Sequence, residues 1–190
     1  MEEQIMNMPA VALRGLTILP GMIAHFDISR ERSLRAVEEA MEQDQKIYLV
    51  TQRNVDSEDP TQEDLYQMGI VADIKQVVRL QNDVVRILVD GISRAALLGF
   101  TGNEKYLEAE ICYCDSNADS LPEDLREAML LGVREAFHRY AAVIGKISKE
   151  LIRQIDQYED LEKLIDYVTN NLPVSYELKQ QVLEAEDIND

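Results

Sequence analysis

The sequence lacks the features that mark membrane and secreted proteins. None of its apolar runs approaches the roughly 20 residues that span a bilayer. Its acidic start, Met1-Glu2-Glu3, does not resemble a secretory signal. Only two cysteines occur, Cys112 and Cys114, which is too few for a disulfide framework. We therefore expect a cytoplasmic location in a reducing compartment.

Basic charge is also scarce. The 190 residues hold 19 Lys and Arg against 36 Asp and Glu, so the formal net charge is −17, and no basic cluster stands out. A phosphate backbone or an anionic membrane surface attracts proteins through a positive footprint. Nucleic acid and membrane are therefore not expected partners. Hydrophobic residues make up 46% of the chain, which is ordinary for a folded domain.

Nucleotide-binding motifs are missing as well. The only Gly-Lys pair is Gly145-Lys146, and a phosphate-binding loop would need Gly where Tyr140 stands and Ser or Thr where Ile147 stands. No G-x-G-x-x-G motif occurs either. We expect no nucleotide site and no cofactor in this chain.

The residues that usually carry catalysis or metals are few and scattered. His25 and His138 are far apart in sequence, and Cys112 and Cys114 alone cannot supply the four ligands of a structural zinc site. Two semi-buried thiols are favoured over a Cys–His dyad, and Ser148-Lys149 would point in different directions on a helix. The many carboxylates are better explained as a solvated helix face and an acidic loop than as an acid–base pair. We predict no catalytic and no metal-binding residues.

Residues 1–114 have the pattern of an α+β fold that is rich in strands. Alternating apolar residues from Ile70 to Leu80, a polar turn at 81–83 and a second apolar run at 84–89 predict a hairpin. Ser29 is a plausible cap for one helix that ends near Gln43. Short strands at this density, with little helix, predict a closed or strongly curved sheet.

The pattern becomes helical after a polar linker at residues 115–119. Ser120-Leu121-Pro122-Glu123 has the form of a capping box, and the apolar spacing that follows predicts a helix of more than 20 residues. Shorter amphipathic segments follow, including one capped by Ser175 with Leu178, Val182 and Leu183 facing inward. We predict that residues 120–190 form a helical bundle subdomain with one long helix.

One apolar segment is irregular and has two interpretations. Gly15, Pro20 and Gly21 interrupt it, and it contains Ile18, Leu19, Pro20, Met22 and Ile23. These side chains either plug one end of the barrel or remain exposed and hold apolar stretches of another protein, since exposed apolar patches mark binding sites. They are our candidate substrate contacts.

Five motifs in order resemble the N-terminal region of Lon-type ATP-dependent proteases. An apolar strand leads to a proline turn in residues 9–22 (PAVALRGLTILPGM), and the motifs RSLRAVEEAM, DLYQMGIVA and VDGISRA follow at 32–41, 64–72 and 89–95. The fifth motif, at residues 171–180 (NLPVSYELKQ), is similar to the family's entry to the helix that precedes the ATPase module. This last motif favours a true protease over stand-alone relatives of the β-rich part.

The resemblance implies a barrel-like (PUA-like) subdomain of about six strands with one helix, followed by a helical bundle. It also implies a non-catalytic role in engaging unfolded or tagged substrates. It implies that the full-length protein is an ATP-dependent serine endopeptidase with a Ser–Lys dyad. That protein would use ATP and Mg, form a homo-hexamer and degrade misfolded and regulatory proteins. The family continues the last helix, whereas this chain stops at Asp190 before the ATPase module. The fragment itself would be a monomer or weak dimer.

Two other functions remain open at this point. The chain could be a free-standing binding adaptor with the same β-rich fold. It could also be a small hydrolase, which would need two carboxylates with divergent pKa values in one pocket, and the sequence contains no sign of such a pair.

Overall fold

The computed structural model describes residues 5–114 and 121–185, which form a mixed α+β structure with one six-stranded sheet and five helices. The elements in chain order are β1 (Ile5–Leu13), β2 (Ile23–Ile28), α1 (Glu31–Glu42), β3 (Lys46–Thr51), a 3-10 turn (Gln62–Asp64), β4 (Met68–Arg79), β5 (Val85–Phe100), β6 (Glu108–Tyr113), α2 (Glu123–Ile144), α3 (Lys149–Gln157), α4 (Leu161–Asn171) and α5 (Tyr176–Glu184).

The strand order in the sheet is β2-β5-β4-β3-β1-β6, and β5 also pairs with β6. These pairings link β5, β4, β3, β1 and β6 into a closed circuit of hydrogen-bonded neighbours, and β2 adds to the first half of β5. β1 and β3 are parallel, whereas the other pairs are antiparallel. The predicted hairpin is confirmed as β4–β5, with Asn82 and Asp83 at positive φ in its turn.

β5 is one strand of 16 residues, although Gly91 in the sequence suggested a break. A Cβ atom on Gly91 would lie 2.4 Å from the carbonyl oxygen of Leu19. The glycine is therefore required because the 14–22 segment crosses β5 closely, and it does not end the strand. A register shift beside Gly91 leaves Ile92 as an extra residue that faces solvent.

The start of α1 differs from the prediction. Its N-cap is Arg30 and not Ser29, and Arg30 makes no side-chain capping hydrogen bond. The first main-chain bond of the helix joins the Leu34 N–H to the Arg30 C=O at 3.0 Å, which places Ser29 one residue too early to cap. The first turn of α1 thus has no side-chain cap within the part of the chain that the structure describes.

The structure divides into two compact units. Unit 1 comprises Met1–Asp115 and Ser175–Glu184, and unit 2 comprises Ser116–Val174 and Ala185–Asp190. The helix α5 therefore belongs to unit 1, whereas the helical pattern suggested a bundle through residue 190. The predicted linker at 115–119 and the capping residue Ser120 lie outside the described residues.

A buried polar network holds α5 in unit 1. The Gln180 side chain is 1% exposed. Its amide nitrogen donates to the Met68 C=O at 2.9 Å, and its amide oxygen accepts from the Thr17 hydroxyl at 3.2 Å. Thr17 in turn contacts the Thr51 hydroxyl at 2.9 Å. A polar anchor of this kind cannot be recognised from helical periodicity, which records only apolar spacing. Leu183 of α5 is buried as predicted, but Leu178 is exposed.

Unit 2 packs α2, α3 and α4 around a small core of Phe137, Ala141, Ile155 and Leu164. The predicted long helix is confirmed as α2, whose 22 residues span about 33 Å. The two shorter helices begin at side-chain caps, Ser148 for α3 and Asp160 for α4. None of the described helices combines the length and apolar character needed to cross a membrane.

Candidate functional site

The predicted contact segment lies between β1 and β2, and the structure separates its residues. Ile18 is 1% exposed and Leu19 is 0% exposed, and Ile18 packs in the main core of unit 1 with side chains from β1, α1 and β5. Both side chains are therefore buried in unit 1, and a side chain inside the core cannot touch a substrate at the surface. The prediction that Ile18 and Leu19 contact substrate at the surface is therefore wrong.

The other three residues of the segment reach the surface to different degrees. Pro20 and Met22 are partly buried, whereas Ile23, the first residue of β2, is 69% exposed. Main-chain bonds fix this part to β5, because Gly21 N–H donates to the Gly91 C=O at 2.8 Å and Gly91 N–H donates to the Met22 C=O at 3.0 Å. Ile23 is therefore an apolar side chain held in solvent by an ordered backbone. As a substrate contact it stays a prediction.

Ile23 belongs to a larger surface, which we call the outer face, on the solvent side of β2 and the adjoining parts of β5 and β4. Directly opposed residues on neighbouring antiparallel strands lie on the same side of a sheet. The registers give three rows across the outer face: Ile23–Asp90–Asp73, His25–Leu88–Gln76 and Asp27–Arg86–Val78.

A shallow groove of about 300 Å³ runs through the second and third of these rows. Its lining residues are His25, Gln76, Val78, Arg86 and Leu88. Leu88 is half-buried and Val78 is 39% exposed. With Ile23 they give the outer face an apolar middle that can contact aliphatic or aromatic groups.

The sequence pattern placed Val78 and Leu80 on the buried side of their strand with Ile74. The structure shows both exposed, because the register slips between Ile74 and Gln76. One extra residue in a strand turns every following side chain to the opposite face. The outer face was therefore missed from the sequence, which contains no signal for this bulge.

Charged pairs border the apolar middle. Arg86 donates two hydrogen bonds to the Asp27 carboxylate, at 2.7 and 2.8 Å, and Lys75 Nζ lies 3.1 Å from an oxygen of Asp73 and 3.7 Å from one of Asp90. The Arg86 guanidinium holds the pKa of Asp27 below its usual value, and the Asp73 carboxylate raises the pKa of Lys75. Both basic groups of this border are paired, and its three carboxylates leave one net negative charge. The apolar groups are therefore the main feature of the outer face that a bound segment can contact.

The cysteines and histidines that were considered as catalytic residues make contacts of a structural kind. Cys112 is buried, Cys114 Sγ lies 3.7 Å from Met68 Sδ, and neither cysteine is in a disulfide. His138 pairs with Asp156 at 2.8 Å on the exposed surface of unit 2, and His25 lies on the outer face. Within residues 5–114 and 121–185, no group of three His, Cys, Asp or Glu side chains could hold a metal ion.

Comparison with known families gives a match over residues 7–190 to the substrate-binding domain of the ATP-dependent protease La (LON). The Lon protease of Lachnoclostridium phytofermentans is 36% identical over 188 residues, which cover 99% of this chain and 23% of that protein. The Lon protease of Clostridioides difficile is 35% identical over 185 residues, 96% of this chain and 24% of that protein. The chain thus spans about a quarter of the length of these relatives.

Two solved structures share the fold. The N-terminal domain of a Lon protease from the Mycobacterium avium complex superposes with a TM-score of 0.78 at 18% identity, covering 97% of this chain and 92% of that one. The Lon N-terminal domain protein from Xanthomonas campestris gives a TM-score of 0.63 at 13% identity, with coverages of 96% and 92%. At these identities the likeness concerns the fold alone.

Proposed function

This chain belongs to the Lon substrate-binding domain family, and we propose that it engages unfolded or tagged protein substrates through the outer face. The observation that carries the proposal is the ordered exposure of Ile23 beside Leu88 and Val78. Unfolded chains display aliphatic and aromatic side chains that folded proteins bury. A shallow apolar surface can hold such side chains without requiring one sequence.

The border of the outer face supports weak, broad binding. Its basic groups are already paired, Arg86 with Asp27 and Lys75 with both Asp73 and Asp90, so an acidic segment gains little from charge matching. Affinity would then come mainly from apolar contact, which is non-directional. This property suits a domain that must bind many different unfolded chains and release them.

The remaining activity belongs to the longer protein that the relatives represent. We propose that the full-length protein is a cytoplasmic, homo-hexameric ATP-dependent serine endopeptidase that degrades misfolded and regulatory proteins. In that protein, ATP with Mg and a Ser–Lys dyad would be held outside this chain. We further infer that the closed circuit of paired strands in unit 1 is the expected barrel-like subdomain, and its PUA-like character stays a prediction.

The proposal is tested by a matched pair of substitutions. The 190-residue chain is titrated into a fluorescently labelled protein kept unfolded by reduction and carboxamidomethylation, and binding is followed by anisotropy. Ile23→Asp should weaken binding roughly fivefold, about 1 kcal/mol. The control Val143→Asp changes an exposed valine on unit 2 and should leave binding within about twofold. Equal losses in both variants, or none in either, would count against the outer face.

The competing functions have their own tests. The chain should hydrolyse neither ATP nor peptide, and reproducible turnover of either would overturn its non-catalytic assignment. The gene beyond codon 190 separates the protease from a free-standing adaptor. A phosphate-binding loop downstream would support the protease, whereas a stop codon would favour the adaptor.

A further inference from the structure

Some arginines of unit 1 form no salt bridge within the described residues, among them Arg53, which lies over the Tyr66 ring, and the neighbouring pair Arg14 and Arg30. Arg30 Nη2 donates to the Gln52 side-chain oxygen at 2.8 Å and to the Ser57 C=O at 3.0 Å, and Arg14 Nη2 donates to the same carbonyl at 3.0 Å. Neither forms a salt bridge within the described residues, although acidic groups outnumber basic ones almost two to one in the chain. Other arginines of unit 1 do pair with carboxylates: Arg32, Arg35, Arg79 and Arg86.

The hydrogen-bond donors around Ser57 exceed the acceptors. The Ser57 carbonyl accepts from Arg14, Arg30 and the Gln52 amide at 3.1 Å, yet a carbonyl oxygen has two lone pairs. Burial lowers the pKa of Arg30, and the neighbouring charge of Arg14 lowers it further. The charges of Asp59 and Glu58 act in the opposite direction and raise the pKa of Arg30, although neither carboxylate forms a salt bridge with it within the described residues. A partly buried cation without a direct counter-ion favours an incoming anion.

These arginines border a cleft of about 540 Å³ that is separate from the groove of the outer face. The ends of β1 and β2, the first turn of α1 and Glu58 line it. Its volume falls within the range of ordinary ligand sites. Arg14 follows β1 and Arg30 follows β2, so both guanidiniums lie beyond the ends of the strands that line the cleft.

Main-chain groups along both strands are available for pairing. In β1 the Leu13 C=O accepts from Gln52 N–H, so alternation turns the N–H and C=O of Ala12 away from β3. Directly before β2, the Met22 C=O accepts from Gly91 N–H, so the same alternation turns the N–H and C=O of Asp27 away from β5. Ala12 and Asp27 both line the cleft, and this alternation places their main-chain groups outside the β1–β3 and β2–β5 ladders. Within the described residues, no turn or loop main-chain bond reaches them.

The first turn of α1 adds a third feature that favours an anion. The helix has 12 residues, its N-cap Arg30 makes no capping bond, and Ser33 of its first turn lines the cleft. Exposed N–H groups at a helix start carry partial positive charge. The acidic residue of that turn, Glu31, is already engaged by Arg35.

We propose that this cleft binds the C-terminal carboxylate of an extended polypeptide, with Arg14 and Arg30 receiving the carboxylate and Ala12 and Asp27 pairing with its main chain. A chain terminus supplies both required groups in one ligand, because its carboxylate directly follows its last amide. The inference rests on the proposed function and adds to it a second contact, which selects chain ends and not apolar side chains.

The test compares two forms of one peptide. The N-terminally labelled hexapeptide Gly-Ser-Thr-Ala-Thr-Val, with a free carboxylate or a C-terminal amide, is titrated with the 190-residue chain. The free acid should bind about tenfold more tightly than the amide. Equal affinities would overturn the proposal. A third peptide, amidated but ending in Asp, separates a terminal from a side-chain carboxylate, and binding as tight as that of the free acid would also overturn it.

Variants locate the effect. Arg14→Gln and Arg30→Gln should each reduce the preference for the free acid below about threefold, whereas Arg153→Gln, in an exposed ion pair of unit 2, should keep it. Arg14 is exposed, so its variant does not depend on the packing around Arg30. An unchanged preference in a folded Arg14→Gln chain would contradict the assignment of the carboxylate to these arginines.

The two proposals can fail separately. Ile23→Asp should leave the acid-to-amide ratio unchanged. If the ratio is near tenfold but unfolded protein does not bind, the proposed function fails and the carboxylate cleft stands. If unfolded protein binds through Ile23 but the ratio is one, the cleft alone is refuted.

Discussion

Unit 1 buries side chains on both faces of its strands, whereas the long helix α2 of unit 2 buries only Phe137 and Ala141. In β3, neighbouring residues Tyr48 and Leu49 belong to two different core clusters. Stability in unit 1 is therefore distributed over many residues joined by strand pairing. Unit 2 depends on a few buried side chains between its helices. The same kind of substitution should therefore change the free energy of unfolding by different amounts in the two units.

The largest expected effect concerns the main anchor of unit 2. Phe137 is 3% exposed, and Phe137→Ala should lower the free energy of unfolding by about 3–5 kcal/mol because it leaves a cavity in a small core. Urea unfolding followed by circular dichroism would measure it, with Leu131→Ala on the exposed side of α2 as control. A loss below about 1 kcal/mol would contradict the few-anchor description of unit 2.

The next effect tests which unit owns α5. Gln180→Ala removes the donor to the Met68 carbonyl and one of the two partners of the Thr17 hydroxyl, and should cost about 1–3 kcal/mol. The neighbouring Gln181 is exposed, so Gln181→Ala is the matched control and should change stability by less than about 0.5 kcal/mol. Hydrogen exchange should show that Gln180→Ala loosens β4 of unit 1. Faster exchange confined to α2–α4 would instead indicate that α5 packs with the helical bundle, as the sequence suggested.

Replacing glycine with alanine should have opposite effects on stability in the two units. Gly91→Ala places a methyl group against the Leu19 carbonyl and should destabilise unit 1 by about 1–3 kcal/mol. Gly132→Ala, in the middle of α2 with open space around it, should stabilise unit 2 by about 0.5–1 kcal/mol. Thermal melts of the two variants measure both effects. Destabilisation by Gly132→Ala would mean that this face of α2 is covered.

The smallest effect is the pH dependence of the pair Arg86–Asp27. Its hydrogen bonds lower the pKa of Asp27, so its contribution to stability is present above the unfolded carboxyl pKa and is lost as pH falls through the folded one. The pair is exposed, so the effect should be small and sensitive to salt. The melting temperatures of the parent and Arg86→Gln should differ slightly at neutral pH and converge in acid. A difference that widens in acid would contradict the assignment.

The local sequence pattern was sufficient to predict most helices and strands. It was insufficient where two segments that are distant in the sequence meet in the fold. Alternation predicted the β4–β5 hairpin, and helical spacing predicted α2 and the burial of Phe137. Periodicity could not reveal the bulge after Ile74, because an extra residue changes the facing of a strand without changing its composition. It also could not assign α5, whose anchor Gln180 is polar.

The candidate site, too, could be predicted from the sequence only where it depends on local pattern. The sequence located the irregular segment that ends at Ile23, but the burial of Ile18 and Leu19 depends on how the 14–22 segment crosses β5 at Gly91. Arg14 and Arg30 are 16 positions apart and form no motif. Their common contact with Ser57 arises only when the ends of β1 and β2 and the 52–58 loop come together in the fold.

The central claim is that the outer face of unit 1 holds unfolded chains. The most direct measurement is a titration of the isotope-labelled 190-residue chain with the carboxamidomethylated unfolded protein, followed by amide chemical shifts. We expect the largest changes at Ile23, His25 and Leu88, with small changes in α2 to α4. Changes confined to the helices of unit 2, or none at saturating concentration, would contradict the claim.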